Sequence, residues 1–194
     1  MPSTKKTELP SPWAEFLAEL DALLSEQVQL HCIGGFVVSL FYGLPRPTGD
    51  IDYYSVFPVH CEDDLKAAAG PGSRLHRKYK VYFQRVAVTS LPENYEARLG
   101  EMFPGRFDKL KLYALDPYDL ILSKLERNSA KDRDDVAYLI GKLRLNPTPL
   151  RDRYEKELRP YLTNEAKHDL TIDLWIASCF QAGSSEGSVP QIPQ

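Results

Sequence analysis

The sequence predicts an α+β fold, a small mixed sheet with interleaved helices followed by a C-terminal helical bundle. Two observations carry that prediction. Short β-branched and aromatic runs alternate with helical periods between Ser11 and Leu115, and from Asp116 onward only helical periods remain. The chain has 194 residues, 43% of them hydrophobic and 26% charged, which is enough apolar material for a buried core.

The elements follow in order. Residues 1–10 are polar and are expected to be disordered. Ser11-Pro12 opens a helix, with Ser11 as the expected N-cap and Trp13, Phe16, Leu17, Leu20, Leu23 and Leu24 at helical spacing. Leu30 to Ile33 is a short strand running into Gly34-Gly35, and Phe36 to Tyr42 is a short helix stopped by Gly43 and Pro45. Ile51 to Val56 is a second strand, Glu62 to Ala69 a helix, and Lys80 to Thr89 the longest strand expected. Leu91 to Arg106 is a connection with one helical turn near Glu96, and Leu110 to Ala114 is a further strand. Helices then start at Asp116-Pro117 and near Ala130, Leu150 and Thr163, and the Gly/Ser/Pro-rich tail is expected to be disordered. The expected organisation is therefore an α/β core over 11–115, a helical region over 116–181 and a tail over 182–194.

The composition excludes some classes. A net charge of -3 gives no global attraction to nucleic acid or anionic lipid, so any nucleic-acid contact needs a local basic patch. No apolar run approaches the ~20 residues that span a bilayer, and no signal peptide is evident, so a cytoplasmic protein is expected. Cys32, Cys61 and Cys179 are odd in number and lack metal-ligand spacing; inert thiols are the expectation.

The chemistry concentrates in IGGFVVSLFYGLPRPTGDID. Here a strand delivers Gly34 and Gly35 to the start of a helix, where the backbone can approach a ligand closely and N–H groups attract phosphate. Asp50 and Asp52 follow at spacing i, i+2, which puts both carboxylates on one face of a strand. Adjacent carboxylates repel unless a cation lies between them, and Mg²⁺ (or Mn²⁺) takes one or two carboxylates together with phosphate oxygens. Asp-x-Asp alone, or Gly-Gly after a strand alone, is usually structural. In this order, with Arg46 and Thr48 between, they describe a phosphate cradle and a metal clamp for phosphoryl or nucleotidyl transfer. Arg46 either contacts phosphate or pairs with an acid as an ordinary loop arginine. The Thr48 hydroxyl is placed to orient Asp50.

The stretch Gly34-Gly35 … Arg46-Pro47-Thr48-Gly49-Asp50-Ile51-Asp52 resembles the core motif of minimal nucleotidyltransferases. It is similar in particular to the abortive-infection-type (AbiEii-like) group, which includes toxins of bacterial toxin–antitoxin pairs and shares the sheet fold of DNA polymerase beta. Asp116-Pro117-Tyr118-Asp119-Leu120 with Lys124, then Lys131-Asp132 with Asp135, resemble that group's downstream motifs, so the likeness runs from about Leu30 to Leu143. The resemblance implies that an NTP is the substrate, that Asp50 and Asp52 hold the metal, and that Lys124 shares in catalysis by neutralising the triphosphate. It suggests tRNA as the acceptor, with a protein or small-molecule acceptor as the alternatives, and an antitoxin protein as a candidate partner.

Read from the residues alone, Lys124 sits beside the stripe of Leu120, Ile121 and Leu125 and either snorkels to solvent or supplies a buried cation. Asp132 and Asp135 share a helical face with Val136 and Leu139; Lys124 or Arg127 is a candidate partner for them, and they are assigned a supporting role behind Lys124. An acid in the first turn of a helix also favours its dipole, which accounts well for Asp132 alone. Asp116 reads as an N-cap, with Asp119 completing a capping-box-like pair.

One departure stands out. Relatives of the polymerase-beta type carry a third carboxylate on a later strand, whereas KVYFQRVAVT holds no acid and offers only Gln84, which cannot act as a base. Glu93 and Asp108, on other elements, are candidate replacements. The stretch from Arg74 to Arg85 instead mixes Arg74, His76, Arg77, Lys78, Lys80 and Arg85 with Tyr79, Tyr82 and Phe83, a composition suited to an RNA backbone with stacked bases, though lysine also protects ordinary strand edges. The readings in contention are a nucleotidyltransferase, a catalytically degenerate nucleotide- or partner-binding module of the same fold and, more weakly, a metal-dependent glycosyltransferase using Asp-x-Asp as a sugar-nucleotide clamp.

Overall fold

The computed structural model describes residues 9–180. The expected disordered ends at 1–8 and 182–194 fall outside the described residues, but Leu9, placed by the sequence in the disordered start, is buried. The chain divides into two units. One holds the residues up to Thr89 together with Asn94–Leu120; the other holds Ser90–Glu93 and the residues from Ile121 onward.

The first unit is built on one mixed sheet. In chain order it contains α1 (Trp13–Leu23), β1 (Val28–Ile33), α2 (Gly34–Phe36) continuing as a wider turn over Val37–Phe41, β2 (Asp50–Phe57), a short turn Val59–Cys61, α3 (Glu62–Ala69), α4 (Arg74–Tyr79), β3 (Tyr82–Arg85), a turn at Tyr95–Arg98, β4 (Gly100–Met102) and β5 (Leu110–Ala114). The strand order is β3-β2-β1-β5-β4. β1 is antiparallel to β2 and parallel to β5, β2 is parallel to β3, and β4 is antiparallel to β5.

Burial shows which sheet face is the core. Leu30 and Cys32 of β1, Ile51 and Tyr53 of β2, Phe83 of β3 and Leu110, Leu112 and Ala114 of β5 are all buried. The apolar stripe of α1 supplies Trp13, Phe16, Leu17 and Leu20 to the same core, and Phe16 stacks on Phe83 with ring centroids 5.8 Å apart. The register of β1 against β2 slips between His31 and Cys32, leaving Tyr54 as the extra residue of a bulge.

Three expectations change here. Helix α1 has Pro12, not Ser11, at its N-cap, and no side chain caps it. The strand expected over Lys80–Thr89 is confined to Tyr82–Arg85. The first residue of the expected span, Lys80, closes the helix α4 in a left-handed conformation at φ 62°, and that helix starts where the Ser73 hydroxyl accepts the His76 N–H. Strand β4 was not expected; three residues are too few to show a period.

The second unit is helical. α5 (Pro117–Leu122) leads into it, followed by α6 (Ala130–Leu143), α7 (Pro147–Arg153) with turns over Tyr154–Leu158 and Arg159–Tyr161, and α8 (Glu165–Trp175) extended over Ile176–Phe180. Asn146 caps α7 through the Thr148 N–H, and Asn164 caps α8 through the Lys167 N–H. Among the described residues no helix is long and apolar enough to cross a membrane.

Candidate nucleotide and metal site

Asp50 and Asp52 open β2 where that strand lies against the C-terminal end of β1, with Asp52 opposite Ile33. Ile51 and Tyr53 point into the core while Asp50 and Asp52 are half-buried, so the two carboxylates share the face turned away from α1. The Thr48 hydroxyl donates to Asp50 Oδ1 at 3.1 Å and to the Asp50 carbonyl at 3.2 Å, the orienting contact that the sequence suggests.

Gly34 follows the last residue of β1 with φ at +73°. A Cβ added there would collide with Asp52 Oδ2, so a side chain is disfavoured twice, by the backbone angle and by the carboxylate packed against it. The motif's two halves, fifteen or more residues apart in sequence, therefore meet at one point. Gly35 lies beside it at the start of α2, and Arg46 is half-buried on the loop that leads to Thr48.

The strand expected to hold a third acid runs parallel to β2, and its register pairs Asp50 with Tyr82 and Asp52 with Gln84. Neighbours across a ladder share a face. The position beside Asp52 is thus filled by an exposed amide, which coordinates weakly and carries no charge. Asp108 does not replace it: it precedes β5, which runs parallel to β1, and so belongs to the opposite end of the sheet. Glu93 belongs to the second unit.

The second unit carries the other expected residues. Lys124 is only 4% exposed and does not snorkel; its ammonium donates to Asp135 Oδ2 at 2.7 Å and lies 3.6 Å from Asp132 Oδ1. Asp132 is fully buried and forms a capping box with Ser129 at the start of α6. Arg127 grips it with two bonds of 2.7 and 2.6 Å. Burial alone would raise the Asp132 carboxyl, but the Arg127 and Ser129 hydrogen bonds and the Lys124 charge outweigh it and hold that group well below the usual carboxylate range. Both partners suggested by the sequence, Lys124 and Arg127, are therefore used.

Asp116 accepts the Tyr118 N–H at 2.9 Å, as an N-cap does. Asp119, fully buried, is held by a two-pronged pair with Arg98 at 2.8 and 3.0 Å. That pair had no signal in the sequence, since Arg98 lies in an irregular connection.

The basic stretch is less uniform than its composition. Arg74 and Lys78 both bind Glu19, whose carboxyl is pulled down to about 2, first by the Lys78 and Tyr79 hydrogen bonds and then by Arg74. Arg85 binds Glu62 at 3.0 Å, and Arg77 donates to the Gly72 carbonyl.

Residues 14–173 match a family described as nucleotidyltransferase of unknown function (DUF6036). That is most of the chain, and the protein belongs to this family of nucleotidyltransferases. No curated protein and no solved structure matches it.

Proposed function

We propose that the protein transfers a nucleotidyl group from an NTP to an acceptor hydroxyl, with Mg²⁺ or Mn²⁺ held by Asp50 and Asp52. The contact between Gly34 and Asp52 carries this reading: a glycine whose backbone angle and close packing disfavour any side chain adjoins a carboxylate of the Asp-x-Asp pair. Two half-buried carboxylates on one strand face, one steered by Thr48, supply the hard oxygen donors that these ions prefer. When bound, the ion would stabilise the charge that develops on the phosphate oxygens. The acceptor oxygen attacks the α-phosphorus, the bond to the bridging oxygen breaks, pyrophosphate leaves, and the hydroxyl proton passes to solvent. Gly34 and Gly35 are assigned to the triphosphate and Arg46 to its negative charge; Lys124, buried against Asp135, is assigned to the second unit as a structural cation. Asp132 and Asp135 are assigned to keeping Lys124 in place.

The acceptor we favour is RNA, tRNA included, because exposed Arg77, Lys78 and Lys80 lie close in sequence to Tyr79 and Tyr82. The resemblance to the AbiEii-like group extends the proposal to a cytoplasmic toxin acting beside an antitoxin. A second reading, a nucleotide-binding module without turnover, is favoured by one observation, Gln84 in the position beside Asp52.

The test is incubation of the protein with Mg²⁺ or Mn²⁺, each labelled NTP and total tRNA, beside an Asp50→Ala/Asp52→Ala double variant. Label on RNA that the double variant cannot deliver is the expected result. No variant-sensitive label on RNA would sink the RNA-directed enzyme; nucleotide binding that persisted would leave the module reading standing.

A further inference from the structure

The end of the sheet away from the acids carries a second cluster of donor groups. Glu26 lies between α1 and β1, and His60 and Cys61 close the short turn after β2. The two segments meet because Gln29 of β1 pairs with Phe57 of β2. One ligand atom from each of Glu26, His60 and Cys61 lies within 4.8 Å of the other two, and His60 Nε2 stands 2.8 Å from Glu26 Oε1. Four residues of strand separate this end from Asp52 and Ile33, roughly 13 Å at ~3.3 Å per residue.

An exposed histidine–glutamate pair is ordinary and explains two of the three groups. It does not explain why a buried thiol adjoins the same carboxylate. Cys61 is 6% exposed, and burial, followed by the nearby Glu26 carboxylate, raises its thiol above the ordinary value. A thiol is a poor hydrogen-bond donor, but its thiolate is a strong ligand for a borderline-soft ion.

We propose that Glu26, His60 and Cys61 form a zinc site. Sulfur, imidazole nitrogen and carboxylate oxygen are the donor types that Zn²⁺ combines in a tetrahedron, and Mg²⁺ does not recruit sulfur. Zn–S near 2.3 Å and Zn–N near 2.0 Å put tetrahedral ligand atoms about 3.4–3.6 Å apart, within the span observed here. Binding needs only a small opening of the His60–Glu26 contact, and the thiol proton passes to solvent. Three protein ligands leave the fourth position for water. The chain then sorts two ions by softness: the oxygen-only Asp50/Asp52 pair takes Mg²⁺ or Mn²⁺, and the mixed cluster takes Zn²⁺ and tethers the turn after β2 to the entry of β1.

The experiment uses the untagged full chain, stripped of metal and titrated with Co²⁺ as a spectroscopic substitute for Zn²⁺. One equivalent is expected to give tetrahedral d–d bands and a thiolate-to-cobalt charge-transfer band in the near ultraviolet. One equivalent of Zn²⁺ should bleach both bands, and excess Mg²⁺ should leave them unchanged. Cys61→Ser should abolish the thiolate band, Cys179→Ser should keep it, and Glu26→Gln, at an exposed position, should weaken affinity at least tenfold while the fold is retained by circular dichroism. Asp50→Ala/Asp52→Ala should keep the full cobalt spectrum, so the site stands or falls independently of the nucleotide reading. A wild-type spectrum without the thiolate band overturns the proposal, and so does an affinity unchanged by both Cys61→Ser and Glu26→Gln.

Discussion

Two pairs of aspartates, one on a strand and one on a helix, differ in burial: the helical pair is closed off from solvent and the strand pair is not. Asp132 and Asp135 of α6 are buried, and Arg127 and Lys124 meet their charge at hydrogen-bond distance. Asp50 and Asp52 of β2 are half-buried on one strand face; Asp50 takes a hydroxyl, and Asp52 lies against a glycine backbone. A buried acid with an excellent cation is a finished interaction, which rigidifies its surroundings and resists further binding. Asp50 and Asp52 keep part of their surface in solvent and offer the oxygen donors that a hard cation prefers. The helical pair is therefore structural, and the strand pair is the one our proposal assigns to the metal ion.

The contrast makes its largest prediction for stability. Lys124→Ala leaves Asp135 buried without its ammonium and should cost about 3–5 kcal/mol, read as a lowered denaturant midpoint. Asp50→Asn/Asp52→Asn replaces two half-buried carboxylates by amides of the same shape and should cost about 1 kcal/mol or less. Equal losses from the two changes would erase the distinction.

Acid should separate the pairs in the same way. The folded-state value of Asp132 lies below that of an unfolded aspartate. Its contribution is thus complete above the unfolded range, about pH 4, and is lost as pH falls toward the folded value. Unfolding curves from pH 6 downward should show wild type losing stability more steeply than Asp132→Asn. Parallel curves for the two proteins would remove Asp132 from the account.

How much of this was legible in the sequence depends on the range of the cause. Glu62–Ala69 and Leu110–Ala114 take the predicted state over the predicted residues, because local periodicity and nearby stop signals decide them. The shared face of Asp50 and Asp52, the Thr48 contact and the partners of Lys124 were also legible, since each follows from spacing along one element or between neighbouring ones. Tertiary register was not. Gln84 was legible only through the resemblance, since the register that sets it beside Asp52 is fixed by the helices between the strands rather than by KVYFQRVAVT itself. Glu26, His60 and Cys61 lack metal-ligand spacing for the same reason: β1–β2 pairing brings them together. The strand expected from Lys80 starts later because Lys80 closes α4 in a left-handed conformation, which no local period signals.

At the strand pair, the backbone should matter more than the hydroxyl. Gly34→Ala must hold a left-handed angle at about 1–2 kcal/mol and also displace Asp52 Oδ2. Nucleotidyl transfer should fall by more than about tenfold, the equivalent of 1.4 kcal/mol, while the far-ultraviolet spectrum persists. Normal activity in Gly34→Ala would mean that Asp52 has no fixed role. Thr48→Val removes a single bond of about 0.5–1.5 kcal/mol, so Mn²⁺ affinity, followed by electron paramagnetic resonance, should weaken by no more than about tenfold. Thr48→Ser should restore it, because the hydroxyl rather than the methyl aligns Asp50. A valine variant binding Mn²⁺ like wild type would show that Asp50 needs no such guide, and the strand alone would then set the geometry of the pair.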